Sequence, residues 1–313
     1  MGANPTRDHV YQHPFFDSTR WNEFEQRPGD IVVCTSYKAG TTWTQMICAL
    51  LVHQTPELPR PLAELSPWLD LRLASMADIN ANYGSQEHRR VIKTHTPLDG
   101  LSYREDVSYV FCGRDPRDVF LSMQNHMGNM NIEKIGQAMA AQGLQATPPP
   151  PLPDDVNERF HLWMQSGTFD WEEDGLPFWS HFRHAQTYWA FRNLGNIHFL
   201  HYADLKADLE GQMRRIADLL DIAVPEDKWP ALVKAATFED MQANADRTAP
   251  DTNFNLWHSN KNFFNKGENR QWEGVLSAEN LQIYKGTFRQ RYGAEIVDWL
   301  ERSSLEVGYP DGR

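Results

Sequence analysis

One pattern recurs along this chain of 313 residues: a short apolar run, then a turn rich in small and polar residues, then a stretch with helical periodicity. In the first case the run Asp30–Cys34 leads into the turn Thr35–Thr42, and apolar side chains then recur every three or four residues from Trp43 onward. This order is typical of parallel strands joined by crossover helices, because parallel neighbours need a long connection. We therefore predict an α/β fold, a single domain over residues 1–313 whose central parallel sheet is flanked by helices.

Three further strands are predicted, each followed by a polar turn or a helix. In chain order they are Arg90–Ile92 before Lys93–Pro97, Tyr109–Cys112 before a helix that extends to about His126, and Ile197–Tyr202 before one continuous helix over Ala203–Leu220. Asp115 suits the N-cap of the helix after the third strand, and Pro116 suits its first turn.

The segment from about residue 129 to residue 178 interrupts this pattern. It contains four consecutive prolines, Pro148–Pro151, which exclude a helix or a central strand and predict an exposed polyproline-like loop. Two interpretations of this Pro-rich segment stay open: a surface insertion, or a lid over a substrate pocket.

Charge and cysteine content limit the class of partner. The 30 basic and 42 acidic side chains give a formal net charge of -12, which repels nucleic acid and anionic membranes, so an anionic ligand needs a local basic site.

Cys34, Cys48 and Cys112 are scattered and odd in number, as expected of core thiols in a reducing compartment. The N-terminus does not read as a signal peptide, and the run Met46–Val52 is shorter than the roughly 20 residues of a membrane span. We predict a cytoplasmic protein.

The first turn has the densest anion-binding chemistry. Residues 35–43 read Thr-Ser-Tyr-Lys-Ala-Gly-Thr-Thr-Trp, so a glycine-containing turn connects a strand to a helix N-terminus and points backbone N–H groups at one place. Lys38 adds a full charge, and Thr41 and Thr42 add hydroxyl donors. The nucleoside-triphosphate motif is not matched, because Lys38 precedes Gly40 by two residues and no glycine lies five residues before Gly40. A magnesium–nucleotide interpretation is weakened accordingly.

Two more motifs follow strand ends, where open parallel sheets bind ligands. Lys93 and His95 are two residues apart and face one side of an extended segment. His95 has an ordinary pKa near neutrality, which suits a group that takes a proton from a hydroxyl. Arg114 and Ser122 supply a guanidinium fork and a hydroxyl, which together can hold a phosphate. A fourth cluster, residues 263–272, brings two cations, a glycine and three amides into an irregular stretch.

In order and rough spacing these four motifs resemble the cytosolic sulfotransferases, which use 3′-phosphoadenosine 5′-phosphosulfate (PAPS). The resemblance covers about residues 10–280, its first motif is highly specific, and it implies a P-loop-NTPase-like fold. It implies these nucleotide-binding residues: Lys38, Ala39, Gly40, Thr41 and Thr42 at the 5′-phosphosulfate; Arg114, Ser122, Lys266 and Gly267 at the 3′-phosphate; Trp43 on the adenine; and Tyr202 and Phe238 elsewhere along the nucleotide.

The chain departs from the family pattern at several positions. Tyr37 replaces the usual proline and Ala39 the usual serine, where only backbone contacts are expected. In the C-terminal segment Asn265 replaces an arginine, and Arg270 occupies a glycine position. Arg270 either restores the lost charge from another place or marks a less ordered segment. The family's C-terminal dimerisation motif is not evident, so the oligomeric state stays open.

The resemblance implies in-line transfer of a sulfuryl group to a hydroxyl. In this mechanism His95 is the base, Lys38 stabilises the leaving oxygen, and Lys93 neutralises an equatorial sulfuryl oxygen. No metal is required, because two lysines cover the charge of the sulfuryl group.

Two other functions remain open, a P-loop-like small-molecule kinase and a catalytically silent nucleotide-binding adaptor. The predicted acceptor is a small hydroxyl compound of aromatic or hydrophobic character, because Phe15, Phe16 and Trp68 suggest an apolar pocket.

Overall fold

Four parallel strands form the centre of the molecule in a computed structural model that describes residues 4–145, 151–250, 254–310 and 312. They are β1 (Ile31–Cys34), β2 (Val91–Thr94), β3 (Ser108–Gly113) and β4 (Ile197–His201). Their order across the sheet is β2-β1-β3-β4. The register pairs Val33 with Lys93, Val33 with Val110, and Gly113 with His201. The predicted parallel sheet and its four strands are confirmed, with small shifts at the strand ends.

Helices cover both faces of this sheet. In chain order they are α1 (Thr41–His53), α2 (Leu62–Leu65), α3 (Met76–Gly84), α4 (Pro116–Gly128), α5 (Ile132–Ala141), α6 (Val156–Gln165), α7 (His181–Trp189), α8 (Tyr202–Ala207), α9 (Leu209–Leu219), α10 (Trp229–Ala235), α11 (Phe238–Ala243), α12 (Ala245–Thr248), α13 (Asn260–Phe263), α14 (Ala278–Tyr292), α15 (Ala294–Arg302) and α16 (Ser304–Val307). Short 3-10 turns lie at Ser18–Asn22, Leu98–Gly100 and Glu226–Lys228.

The single helix predicted for Ala203–Leu220 is wrong. The chain forms two helices, α8 and α9, which meet at Asp208. Asp208 has non-helical dihedral angles and its side chain accepts a hydrogen bond of 2.9 Å from the N–H of Gly211. An aspartate that caps a new helix interrupts the old one, although the apolar spacing continues across it.

Strand residues alternate between two hydrophobic clusters, one on each face of the sheet. Val32 and Phe111 belong to the first cluster, with α6, α7, α14 and α15. Val33 and Val110 belong to the second, with α1, α9 and α10. Strands buried on both faces are the expected result of helices packed on both sides of a parallel sheet. Cys34, Cys48 and Cys112 are all buried free thiols within these clusters, as predicted.

The strand order places a topological switch between β1 and β3. From β1 the chain first moves to β2 on one side and then returns to β3 on the other. The connections that leave β1 and β3 therefore diverge, and a crevice opens at the carboxyl ends of these two strands. Lys38 follows β1 and Arg114 follows β3, so the fold brings them to the same crevice.

The Pro-rich segment contains more regular structure than predicted. Helices α5 and α6 lie within residues 129–178, while most of the polyproline run, Pro148–Pro150, lies outside the described residues. Within the part of the chain that the structure describes, no helix is long and apolar enough to cross a membrane.

Candidate active site

The turn between β1 and α1 has the geometry of an anion-binding loop. Gly40 has φ +100°, and the first helical bond runs from Thr44 N–H to the Gly40 carbonyl, at 2.9 Å. The N–H groups of Thr41, Thr42 and Trp43 precede that bond, so the helix itself does not use them and they can face an anion at the positive end of the helix dipole. A Cβ atom at Gly40 would lie 3.1 Å from the Tyr202 ring, which leaves little room for another residue there.

Arg114 connects this loop to the rest of the crevice. Its guanidinium donates to the Lys38 carbonyl at 2.9 Å and to the Glu268 carbonyl at 3.0 Å, and it lies 4.1 Å above the centre of the Tyr202 ring. Arg114 is 5 % exposed, and its Nε has no hydrogen-bond partner among the described residues. A buried, unsatisfied cationic donor is costly unless a ligand completes it. The predicted phosphate role is consistent with this arrangement.

Residues from distant parts of the chain complete this side of the crevice. Trp43 is fixed by a hydrogen bond of 2.7 Å from its indole to the Ala236 carbonyl, and its ring packs edge-on against Tyr202. Gly267 has φ +63°, and a Cβ atom there would lie 2.7 Å from the Phe238 ring. A side chain at position 267 is therefore disfavoured mainly by the Phe238 ring, and the left-handed backbone angle adds to this preference for glycine. Seven of the predicted nucleotide-binding residues outside the loop line the cavity: Trp43, Arg114, Ser122, Tyr202, Phe238, Lys266 and Gly267.

Arg270 does not replace the missing charge in the cavity. Its side chain is exposed and does not line the cavity, whereas its backbone N–H donates to Asp118 at 2.8 Å. Its φ of +58° is the left-handed conformation that the glycine of the family pattern favours. Position 270 is therefore a structural turn, and the prediction of Arg270 as a side-chain ligand is corrected. Ala39 is fully buried and can contribute only through its backbone N–H.

His95 is held in one orientation at the carboxyl end of β2. Its Nδ1 lies 2.7 Å from the Thr35 carbonyl. A carbonyl only accepts, so Nδ1 carries the proton and Nε2 is left as the acceptor. Burial and the neighbouring Lys93 ammonium lower the pKa of His95 well below its ordinary value. The imidazole is therefore neutral at pH 7 and ready to accept a proton.

Two lysines lie beside this histidine. Burial lowers the pKa of Lys93 to about 8. Burial, with repulsion from Arg114 and Lys93, lowers the pKa of Lys38 to about 7. A buried lysine whose pKa is lowered further by two neighbouring cations is typical of a site suited to negative charge.

His126 is a site residue that the sequence analysis missed. Its Nδ1 lies 3.4 Å from the Lys38 ammonium, which also lies 4.4 Å above the Phe263 ring. Burial lowers the pKa of His126 well below its ordinary value, so this ring is neutral and accepts from Lys38. The sequence could have indicated His126 as a site residue, because it follows the predicted Ser122 by four residues and so lies on the same face of α4.

The loop residues from Lys38 to Thr42 other than Ala39, with Arg114, both lysines, His95 and His126, line one cavity of about 540 Å³. Another part of its wall, here called the apolar end, is formed by apolar residues of one packed cluster: Phe15, Leu71, Leu73, Met130, Ile135, Phe254, Leu256 and Trp257. Lys93 and His95 line the cavity together with Trp68. The cavity thus combines an anion site with an apolar pocket.

Two of the three predicted pocket aromatics, Phe15 and Trp68, line this cavity, but Phe16 does not. Phe16 is fully buried and packs against Trp179, with ring centres 3.7 Å apart. Phe15 lies in a turn that two backbone hydrogen bonds close between His13 and Phe16, and there its side chain faces the cavity while Phe16 enters the core. The prediction of Phe16 as a pocket residue is wrong.

Among residues 4–145, 151–250 and 254–310, no group of three or more histidine, cysteine or carboxylate side chains is arranged to bind a metal ion.

The fold and the site together describe an α/β protein in which a strand–loop–helix turn lies beside one histidine and two lysines. The model of the sulfotransferase domain family matches residues 28–295, and this chain belongs to that family. The predictions of the family, of the fold and of an enzyme of the sulfotransferase class are confirmed.

Relatives support the same assignment. A glycolipid sulfotransferase of Mycobacterium bovis is 37 % identical over 290 residues, which cover 88 % of this chain and 89 % of that protein. A mouse protein named sulfotransferase 2A2 is 22 % identical, with 90 % of each chain covered.

Solved structures share the fold. A mouse sulfotransferase, SULT7A1, crystallised with 3′-phosphoadenosine 5′-phosphate (PAP), superposes with a TM-score of 0.69 at 17 % identity, over 91 % of this chain and 92 % of that one. A retinol dehydratase in complex with androsterone and PAP superposes with a TM-score of 0.64 at 20 % identity, over 87 % and 82 % of the two chains.

Proposed function

We propose that this protein transfers the sulfuryl group of PAPS to a hydroxyl of an acceptor with an apolar body, of the glycolipid kind. The observation that carries the proposal is the position of His95, Lys93 and Lys38 in one cavity whose one end is cationic and whose other end is apolar. The family, and a similar structure that contains PAP, support PAPS as the sulfuryl donor. The apolar lining of the cavity and the name of the mycobacterial relative support the class of acceptor.

The crevice fits a nucleotide with two anionic ends. The free N–H groups at the start of α1 suit one phosphate-linked group. The buried Nε of Arg114, which lacks a partner among the described residues, suits a second anion together with Ser122 and Lys266. Trp43 and Phe238 offer aromatic surface for the adenine, and Gly267 leaves room beside Phe238.

The chemistry follows from the charges of the chain's own residues. The acceptor oxygen attacks sulfur, the bond between sulfur and the bridging phosphate oxygen breaks, and the acceptor proton moves to Nε2 of His95. Lys38 lies where it can neutralise the charge that grows on the leaving oxygen, and Lys93 can neutralise the sulfuryl oxygens. Both lysines have depressed pKa values in the free protein, and a bound anion raises the pKa of a lysine beside it, which favours the charged form of Lys38 in particular.

The apolar end of the cavity supports an acceptor with hydrocarbon character. Leu71, Leu73 and Ile135 line it together with aromatic side chains, and each buried CH₂ group of a ligand is worth about 0.8 kcal/mol. Met130 and Phe178 add a wall from the Pro-rich segment, which supports its role as a cover over the acceptor. A cytoplasmic location is supported by the three buried free thiols.

A transfer assay with radiolabelled PAPS tests the function. We expect sulfation of a glycolipid and of a simple hydrophobic phenol, with kcat/KM at least ~10-fold above that of the free sugar headgroup, because the sugar alone leaves the apolar end unfilled. Preference for the free sugar contradicts the acceptor proposal. Calorimetry separates the other functions, since binding of magnesium–ATP alone indicates a kinase and PAP binding without transfer to any acceptor indicates an adaptor.

Donor binding is expected to take up a proton at alkaline pH. With a pKa of about 7, Lys38 is mostly neutral at pH 8 in the free protein and mostly charged at pH 6. Binding of PAP raises this pKa, so proton uptake by Lys38 approaches about one proton per site at pH 8 and about 0.1 at pH 6. Calorimetry of PAP binding in buffers of different ionisation enthalpy measures this proton uptake. In the variant Lys38→Met most of the uptake at pH 8 disappears, and uptake that stays the same in this variant contradicts the assignment.

The variant Gly267→Ala is expected to weaken PAP binding at least ~10-fold. The added Cβ meets the Phe238 ring and also occupies a backbone angle that disfavours side chains, so the segment beside the phosphate shifts. Gly274→Ala is the matched control, because Gly274 also has a positive φ, +74°, but no heavy atom within 4 Å of its Cβ position among the described residues. Equal PAP affinities of the two variants contradict the role of the Phe238 contact.

A further inference from the structure

Tyr37 occupies the position between the buried Ser36 and the catalytic Lys38, and its ring reaches the base. The centres of the Tyr37 and His95 rings are 4.4 Å apart, with an angle of 26° between their planes. This is an offset stack of the kind that stabilises aromatic pairs by about 0.5–1.5 kcal/mol. The family resemblance predicts proline here, and proline offers no such ring.

The hydrogen bonds of His95 leave one motion of its imidazole to be limited by packing alone. The hydrogen bond from Nδ1 to the Thr35 carbonyl fixes one ring atom, at 2.7 Å. The Trp179 indole donates to the His95 carbonyl and so fixes only the backbone. The ring can still tilt about its bond to the Thr35 carbonyl. Tyr37 covers one face of the ring, and Trp68 packs edge-on against it at 4.8 Å between centres.

Tyr37 is itself held firmly. Its ring packs against Phe178, with centres 4.6 Å apart, and against Trp179, with centres 4.9 Å apart at 81°. Trp68 lies 5.9 Å away at 78°. A ring with two torsion angles and three aromatic neighbours has little freedom, so it can restrain the imidazole next to it.

The charged and titratable groups that act on His95 come from several elements. They are Lys93 on β2, Lys38 in the loop and His184 on α7. None of these forms a stack with the imidazole among the described contacts, so removal of the Tyr37 ring changes the hydration and tilt of His95 and leaves these charges in place.

We infer that Tyr37 is a positioning residue of this active site, whose ring stacks on His95 and aims its Nε2 at the acceptor oxygen. The expected effect of Tyr37 on turnover rests on the proposed function. Its structural part, the restraint of the imidazole, stands independently of what the enzyme sulfates. A misplacement of a catalytic group by about 1 Å reduces a rate by about 10²-fold.

The test compares Tyr37→Leu, which removes the ring and keeps apolar volume, with Tyr37→Phe, which keeps the ring. We expect Tyr37→Leu to lower kcat by about 10–100-fold with PAP affinity changed less than about threefold, and Tyr37→Phe to retain wild-type kcat. Proton NMR of protein labelled at histidine Cε1 follows the His95 resonance, which is assigned by its absence from His95→Ala. The His95 pKa should rise toward its ordinary value in Tyr37→Leu and stay unchanged in Tyr37→Phe.

Phe15→Leu is the matched control for this measurement, because Phe15 lines the same cavity but stacks on His13 and makes no ring contact with His95 within the described part of the chain. It should leave the His95 pKa unchanged. The inference is overturned if Tyr37→Leu keeps both kcat and the His95 pKa, if Tyr37→Phe loses as much as Tyr37→Leu, or if PAP binding falls in step with kcat. Absence of transfer by the wild type, with the expected His95 pKa in each variant, rejects the proposed function and retains the restraint by Tyr37.

Discussion

Replacement of His95 by alanine should reduce sulfuryl transfer by about 10³-fold or more, because positioned acid–base groups contribute about 10²–10⁴-fold and no other neutral base has the same placement in the proposed mechanism. PAP affinity should change less than about threefold, since His95 lies beyond the anion-binding loop. Initial-rate kinetics and calorimetry measure the two quantities. The variant His95→Asn keeps a polar side chain without a base, and it should be as inactive as His95→Ala.

A control and a pH profile make this result specific. His88→Ala removes a histidine that does not line the cavity and should leave turnover unchanged. The pKa of His95 lies well below 6.5, so the imidazole stays unprotonated as pH falls through 6.5 and activity that depends on it should persist there. Turnover of His95→Ala near the wild-type level would show that His95 is not the base.

Replacement of Lys38 by methionine should lower kcat by about 10²–10³-fold, the usual cost of one group that stabilises developing negative charge. Methionine keeps the length and apolar stem of the side chain but removes the ammonium that lies 3.4 Å from His126 and above the Phe263 ring. Single-turnover measurements at saturating PAPS isolate the chemical step. Lys285→Met, at an exposed position of α14, is the control and should behave as the wild type.

The division between kcat and KM decides the role of Lys38. An interaction that is stronger in the transition state than in the ground state lowers kcat when it is removed, whereas uniform binding raises only KM. A rise in the KM for PAPS with an unchanged kcat would assign Lys38 to donor binding alone.

The anion-binding loop could be predicted from sequence because its chemistry is local. A strand, a glycine turn and a helix N-terminus within residues 31–53 direct the N–H groups of Thr41 and Thr42 by their own geometry. The other strand-end motifs could be predicted for a related reason. Parallel strands bring their carboxyl ends to one edge, so Lys93, His95 and Arg114 meet there without any knowledge of side-chain packing.

Features that depend on packing between distant segments could not be predicted. The direction of Phe16 into the core depends on Trp179, which lies far along the chain. The exposed side chain of Arg270 follows from its left-handed backbone and its bond to Asp118. The break at Asp208 is closer to a local signal, because an aspartate three residues before Gly211 is a helix cap, but the continuous apolar spacing favoured one helix.

By itself the sequence determined the parallel sheet, the anion-binding loop and the family, because these depend on periodicity and on residues that are neighbours in the chain. The tertiary structure decided which side chains line the cavity, which contacts they make and which protonation state they favour. It lowered the pKa of Lys38 to about 7, brought His126 to that lysine, and stacked Tyr37 on His95. Burial and contact between remote segments set these properties, and neither is encoded in the spacing of the residues alone.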